Sequence, residues 1–357
     1  MLVSAQHLFA DAVWAAHSIE IKTAIAALLV GILVGITGMG GGALMTPALI
    51  FLGVGHVSSV VTADLTAAAI YKTGGAVVHW REGSPNVRLA AFLICGSVPM
   101  AFLGPHLVRW ISPKINIDTF LTLCIGFALL LAAITYALRL YVQLRRRAKG
   151  LGRGGNDPIV RPVPTILVGA LGGLLVGVTS VGSGSVIMVV LLMLYPTMPA
   201  FKLVGTDLVQ AVPLVLSAAV SNILVNGLNW AIVIPLILGS VPGCMIGAKI
   251  APRMRASYIR RGIVVALTMS GLALLDKAVW APSPGAEDNQ THPMIIALVG
   301  VIMLFLIPLV WALLRRSVGL PMFGKPTVEQ IERPAVSESQ PSVSLHNRAT
   351  AQRLEKR

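Results

Sequence analysis

Charged and aromatic residues are scarce in this chain. Only 12% of its 357 residues are charged and 6% are aromatic, whereas 55% are hydrophobic and the mean hydropathy is +0.82. A soluble globule of this size needs more polar surface than this composition supplies. The sequence therefore excludes an ordinary soluble domain, and we expect most of the chain to lie in a lipid bilayer.

Residue patterns that carry enzyme or metal chemistry are also missing. The three cysteines, Cys95, Cys124 and Cys244, fall in separate apolar runs without CxxC or Cys/His spacing, so we predict buried structural thiols and no metal. No Ser/His/Asp set and no pair of carboxylates occurs at a spacing typical of catalysis. The sequence thus predicts no cofactor and no enzymatic activity.

Positive charge is plentiful, but it lies mainly in short gaps between apolar runs, giving a formal net charge of +14. This placement is typical of membrane orientation signals, so we exclude nucleic acid as a partner. Basic gaps face the cytoplasm. They contain Arg145, Arg146, Arg147, Lys149, Arg153 and Arg161; Lys249, Arg253, Arg255, Arg260 and Arg261; and Arg315 with Arg316.

Two other gaps are poor in Lys and Arg, and we predict that they face outward. One is the N-terminal stretch 1–20, which also lacks an apolar core and therefore does not resemble a cleaved signal peptide. The other is the loop 282–292, which contains Glu287 and Asp288. These assignments predict a multi-pass membrane protein with its N-terminus outside and its C-terminus in the cytoplasm.

Two glycine-rich breaks interrupt the apolar sequence, at 35–43 (GITGMGGGA) and 177–185 (GVTSVGSGS). Irregular backbone at membrane depth is tolerated only where protein or a watery cavity satisfies its polar groups. Paired breaks of this kind are typical of the binding sites of secondary transporters. The breaks therefore favour a transporter.

The similarity between the halves extends beyond the breaks. Gly35 and Gly177 are 142 positions apart, Asp64 and Asp207 are 143 apart, and the Gly-Ser-Val-Pro runs at 96–99 and 239–242 are also 143 apart. Such a constant offset indicates a fused duplication.

Charge decides how each break is arranged. A crossing needs about 20 residues, and the apolar runs beside the breaks are shorter. If each break is the tip of a re-entrant or broken-helix hairpin, every basic gap faces the cytoplasm. The sequence thus predicts an all-α polytopic membrane protein with two inverted-topology repeats, each a hairpin plus three transmembrane helices, and one extra C-terminal transmembrane helix.

The predicted segments are 1–20 outside, repeat 1 at 21–142, a linker at 143–163, repeat 2 at 164–280, a loop and final span at 281–314, and a disordered tail at 315–357.

The glycines have two predicted roles, which depend on whether they lie within a helix or at the tip of a break. Those spaced four apart, such as Gly31 with Gly35 and Gly169 with Gly173 and Gly177, favour close helix packing. At the tips we favour a ligand role, because helices starting near Ala43 and Ser185 would point unpaired N–H groups at an anion. The predicted substrate-binding residues are Gly38, Gly40, Gly41, Gly42, Ala43, Lys72, Thr179, Ser180, Gly182, Ser183, Gly184 and Ser185.

Polar residues inside the spans are the remaining candidates. Lys72 would supply positive charge to the anion, although a snorkelling or packing-paired lysine is the alternative. For Asp64 and Asp207 we favour helix capping over proton coupling, because both lie near the predicted starts of matching helices. A supporting polar stripe of Gln210, Ser217, Ser221 and Asn222 should face the bundle interior.

These residues together resemble the TauE/SafE sulfite exporter family over roughly residues 21–280. The resemblance is carried by GITGMGGG at 35–42, TADL at 62–65 leading to Lys72, GTDL at 205–208, and the two Gly-Ser-Val-Pro runs. It implies an inner-membrane carrier for a small sulfur-containing oxyanion such as sulfite, a sulfonate or sulfoacetate, driven by the proton gradient. Val215 occupies the position equivalent to Lys72, so the predicted anion site is asymmetric.

Two other functional classes remain open on the sequence. A membrane scaffold or signalling protein would act through the basic tail, and would lose its function without the residues after Arg316, whereas a carrier would keep transporting. A membrane enzyme would release a chemically modified product. The predicted partners of a carrier are a small anion, protons and the lipid bilayer.

Overall fold

The computed structural model describes residues 20–36, 42–81, 85–111, 116–148, 159–182, 184, 186–198, 200–250 and 256–279, with six single positions between 302 and 316. These ranges are helical apart from short connections. The predicted outer N-terminal stretch, final span and tail lie almost wholly outside the described residues. The helices are α1 (20–36), α2 (Gly42–Phe51), α3 (Val57–Arg81), α4 (Val87–Ile111), α5 (Ile117–Ala148), α6 (Pro162–Thr179), α7 (Val186–Leu194), α8 (Ala200–Asn226), α9 (Trp230–Ile250) and α10 (Ala256–Val279).

Five segments of the described helices are long and apolar enough to cross a membrane, which confirms the all-helical membrane class. They are Val87–Ile111, Ile117–Arg139, Pro162–Thr179, Lys202–Asn226 and Trp230–Gly247. Helix α3 has the length of a span but a lower hydropathy, because it carries Asp64 and Lys72. Both side chains are buried among other helices, as intramembrane charges require.

At the second break the chain turns back on itself. Helix α6 ends at Thr179, and its C-cap Ser180 lies in the left-handed region (φ 61°). Gly182 follows at φ 116°, a conformation that strongly favours glycine. Helix α7 then returns beside α6, so that the buried Tyr195 hydroxyl lies 2.6 Å from Thr165 Oγ1 and 2.9 Å from the Arg161 backbone nitrogen. The two helices beside this break thus run back past each other, although α6 is longer than the sequence pattern suggested and has the length of a span.

Glycines bring two helix pairs into backbone contact. Helix α4 packs along α6, and a methyl group on Gly173 would come within 2.6 Å of the Ser97 Cα. Helix α1 packs along α9 in the same manner, where a methyl group on Gly31 would lie 2.7 Å from the Ser240 carbonyl oxygen. The packing role predicted for the glycines spaced four apart is therefore confirmed at Gly31 and Gly173.

The cysteines depart from the prediction of buried thiols. Cys95 is exposed on the surface of the bundle, and Cys124 and Cys244 are half-buried. The physical reason is that a membrane protein turns apolar side chains toward lipid as well as inward, and a free cysteine behaves as a small apolar residue. An apolar run alone therefore does not distinguish a core position from a lipid-facing one.

Candidate functional site

The start of α2 lies against the second break. A methyl group on Gly42, the first residue of α2, would lie 2.7 Å from the Ser180 Oγ and 2.8 Å from the Ser180 carbonyl carbon. The predicted helix starts near Ala43 and Ser185 are thus observed at Gly42 and Val186. The predicted binding residues Gly38, Gly40, Gly41, Ser183 and Ser185 lie outside the described residues.

Asp64 bridges the two halves at this contact. Its Oδ2 accepts hydrogen bonds from Thr46 Oγ1 of α2 at 2.6 Å and from Ser180 Oγ of the second break at 2.7 Å. The side chain is fully buried, and its Oδ1 has no hydrogen-bond partner within the part of the chain that the structure describes. One carboxylate oxygen of Asp64 is therefore held by two hydroxyl groups, while the other accepts no hydrogen bond from any described residue.

The capping role favoured for Asp64 and Asp207 is wrong. Helix α3 begins at Val57 and α8 at Ala200, so each aspartate lies seven residues beyond its helix start, with no acidic residue in either first turn. At that depth the backbone N–H groups already bond within the helix and need no capping acceptor.

Asp207 forms the second acidic centre of the site. Its Oδ1 accepts a hydrogen bond from Gln210 Nε2 at 3.1 Å, and Ser97 Oγ on α4 donates to Gln210 Oε1 at 3.3 Å. Its carboxylate also interacts electrostatically with Arg139 and Lys72. Hydrogen bonds thus link Ser97 of α4 to Asp207 of α8, and the charges of Arg139 and Lys72 act on the same carboxylate.

Lys72 is the shared cation of the two carboxylates. Its ammonium interacts electrostatically with both Asp207 and Asp64, and the side chain is only 8% exposed. The 1.5 Å rise of a helix puts Asp64 and Lys72 roughly 12 Å apart along α3. The long lysine side chain and the approach of α8 let it interact with both. The buried position argues against the snorkelling alternative.

Arg139 is a charged member of this cluster that the sequence analysis did not single out. It lies on α5, where its Nη1 donates to the Gly184 carbonyl oxygen of the second break at 3.3 Å. The sequence contains a signal for this residue: Arg139 is a charged residue at the end of an apolar span of 23 residues, and Lys72 is a charged residue within another apolar run. The rule that intramembrane charges mark functional sites therefore applies to Arg139 as well.

The hydroxyl groups at the second break are already engaged. Thr179 Oγ1 donates to the Leu175 carbonyl at 2.6 Å and accepts from the Val181 N–H at 3.2 Å. The Ser180 hydroxyl proton goes to Asp64. Of the predicted anion donors, Thr179 and Ser180 thus stabilise the break itself in this conformation, while Gly182 provides the turn.

The polar stripe of α8 faces the bundle interior as predicted, but it serves two purposes. Gln210 reaches the Asp207 carboxylate. Ser217 Oγ donates to the Val98 carbonyl at 2.8 Å, Ser221 Oγ donates to the Phe102 carbonyl, and Asn222 Nδ2 donates to the Gly177 carbonyl at 3.0 Å. The outer members of the stripe therefore fix α8 to α4 and α6.

The sequence is similar to that of a known protein family. The sequence profile described as Sulfite exporter TauE/SafE matches residues 23–274. The chain belongs to the TauE/SafE family. The match includes every described residue of the two breaks and of the acidic and basic cluster between them, and it ends before the predicted final span.

Family relatives carry transporter names. The probable membrane transporter protein YjnA of Bacillus subtilis is 34% identical over 251 residues, which cover 70% of this chain and 96% of YjnA. The probable membrane transporter protein YdhB of the same organism is 24% identical over 247 residues, covering 69% of this chain and 96% of YdhB. A probable membrane transporter protein of Xylella fastidiosa is 26% identical over 231 residues, covering 64% of this chain and 84% of the relative. No solved structure shows a significant match. The chain is therefore a multi-pass membrane protein of a transporter family.

Proposed function

We propose that this protein is a secondary transporter that carries a small sulfur-containing oxyanion of the sulfite, sulfonate or sulfoacetate type across the bacterial inner membrane. The observation that carries the proposal is the contact between α2 and the second break, bridged by Asp64 and lined by buried charges. Polar groups at membrane depth are costly, and a transporter is the function that uses them. Lys72 and Arg139 are the cations that would attract the anion.

Charge balance supports proton coupling. Lys72 and Arg139 are offset by Asp64 and Asp207, so an additional anion would leave excess negative charge in a buried site. Such an imbalance is unfavourable at low dielectric, and a proton on one carboxylate removes it. Asp64 Oδ1 is buried without a partner among the described residues, which makes it the proposed proton acceptor. Anion and proton would therefore bind together.

Equivalent contacts between the two halves of the chain support the proposal of inverted repeats. Gly173 contacts Ser97, and the equivalent glycine in the first half, Gly31, contacts the equivalent serine, Ser240. Each half thus packs its hairpin helix on a helix of the other half. A second contact is reciprocal: on α5 and α10, Gly126 approaches Leu275 while Gly271 approaches Leu130, which is the pattern of antiparallel helices related by a two-fold axis. We propose that rocking of these halves exposes the site alternately to either side.

Transport by purified protein tests the proposed function. Proteoliposomes with an imposed pH gradient should accumulate or release sulfite, sulfoacetate or a related sulfonate, and counterflow should return the substrate unchanged. Lys72→Ala should abolish this flux while leaving membrane insertion intact, because it removes a buried cation that faces two carboxylates. Lys72→Arg, which keeps the charge, serves as the folding control.

Two results would contradict the proposal. Wild-type proteoliposomes that move none of these anions under either orientation of the gradient would exclude the substrate class. Unchanged flux in Lys72→Ala would remove Lys72 from the mechanism.

A further inference from the structure

A cavity of about 190 Å³ opens between the ends of four helices, and neither Asp64 nor Lys72 is among the residues that line it. Because a water molecule's share of liquid volume is about 30 Å³, the cavity has room for a four- or five-atom oxyanion with several waters. Its walls come from the ends of α4 and α8, the start of α5 and the last turn of α6. In the topology predicted from charge, this is the outward end of the bundle.

The described wall of the cavity is basic and rich in amides. Arg109 is the charged residue among those that line it, and its Nη1 donates to the Val225 carbonyl oxygen at 3.1 Å. That bond fixes the guanidinium and uses one of its five N–H donors. Asn226 lines the cavity as well, and one N–H of its amide is directed to Asn222 Oδ1 at 3.2 Å. Guanidinium and amide donors without a lining carboxylate suit an anion.

Membrane orientation does not account for Arg109. Cationic residues are favoured at cytoplasmic ends, whereas this end of α4 lies on the outward side in the predicted topology. Arg88, at the opposite end of the same helix, is where the rule expects a cation. The position of Arg109 therefore calls for a local reason.

The cavity leads to the second break. Asn222 forms part of its floor and donates to the Gly177 carbonyl, which belongs to the last turn of α6. Thr179 and Ser180 follow directly, and Ser180 bonds Asp64. Polar contacts thus continue from Asn226 at the exposed side through Asn222 to the backbone of the break.

We propose that this cavity is a second anion subsite, in which a small oxyanion is held by Arg109 and Asn226 on its way to or from the break. The inference rests on the proposed transport function for its biological role, but the site itself is defined by its own residues. Occupancy here would raise the local concentration of substrate at the outer side of the break. Arg109 is therefore a determinant of apparent affinity rather than of the translocation step.

Transport kinetics provide the first test. In sulfite transport measured from the outward side, Arg109→Gln should raise KM about tenfold with little change in the maximal rate, as expected when one charge-assisted hydrogen bond is lost. Arg109→Lys should recover part of the affinity because it keeps the charge. Arg88→Gln, which removes a cation from the other end of α4, is the matched control and should leave KM unchanged.

Thiol reactivity provides a second test that needs no transport. Val225→Cys, made in a protein whose three native cysteines are replaced by alanine, places a thiol on the cavity wall. An anionic methanethiosulfonate should react with it faster than a cationic one, and sulfate should slow the anionic reagent. Both effects should vanish in the Arg109→Gln background.

The two tests separate the inference from the proposed function. Absence of transport in the wild type, together with charge-selective labelling that depends on Arg109, would end the proposed function and keep the anion subsite. Equal labelling by both reagents, or an Arg109→Gln KM equal to that of Arg88→Gln, would overturn the subsite and leave Arg109 an interfacial arginine.

Discussion

The contact between α4 and α6 offers the sharpest test of how packing supports the site. Alanine at position 173 would place its methyl carbon 2.6 Å from the Ser97 Cα and 2.8 Å from the Ser97 carbonyl carbon, and closer still to the carbonyl oxygen. Carbon atoms pack best at about 3.5–4.0 Å, so the two helices would have to separate by roughly 1 Å. All three neighbouring atoms belong to the backbone, and no change of rotamer relieves the clash.

The expected cost follows from that displacement. Overpacking of this kind destabilises proteins by about 1–3 kcal/mol. We expect Gly173→Ala to lower the thermal unfolding midpoint in detergent by several degrees, about 3–10 °C on the scale of medium-sized proteins. Because α6 carries the second break, the same shift would lengthen the Ser180–Asp64 hydrogen bond from 2.7 Å, and transport should fall in parallel.

Two matched variants make this prediction falsifiable. Gly31→Ala places the methyl 2.7 Å from the Ser240 carbonyl oxygen and 3.0 Å from its Cα, so its effect should have the same sign and a smaller size. Gly262→Ala on α10 meets nothing within 4 Å and should be neutral or stabilising by up to about 1 kcal/mol through helix propensity. Equal midpoints for Gly173→Ala and Gly262→Ala would refute the packing argument.

Two further predictions concern the charged cluster. Arg139→Gln removes a cation that interacts with Asp207 and a hydrogen-bond donor to Gly184, so we expect transport to fall at least tenfold. Arg139→Lys should recover part of the transport rate. A wild-type transport rate in Arg139→Gln would exclude Arg139 from the site. Asp64→Asn keeps a hydrogen-bond acceptor for Thr46 but cannot take up a proton, so anion exchange in counterflow should persist while acceleration by a pH gradient disappears. Asp118→Asn, which changes a partly exposed carboxylate paired with His56, is the matched control. A pH-driven flux that survives in Asp64→Asn would assign proton coupling elsewhere.

Much of the candidate site could be predicted because its signals are local. The glycine runs break helices wherever they occur, and the helix starts at Gly42 and Val186 lie within one residue of expectation. Lys72 was recognisable because a charge within an apolar run has few reasons to be there. Arg139 gives a weaker signal of the same kind, because it lies at the end of its span, where a charge can also reach the membrane surface.

The sequence by itself determined the membrane class and the position of the breaks, because composition and helix-breaking residues act over short stretches of chain. Only the tertiary structure decided what the polar residues do. Asp64 bonds Ser180 across 116 positions, and Ser217 bonds Val98 across 119, so neither partner is visible in local pattern. Packing between helices that are distant in sequence brings these pairs together, and it turns an apparent helix cap into a bridge between the two halves.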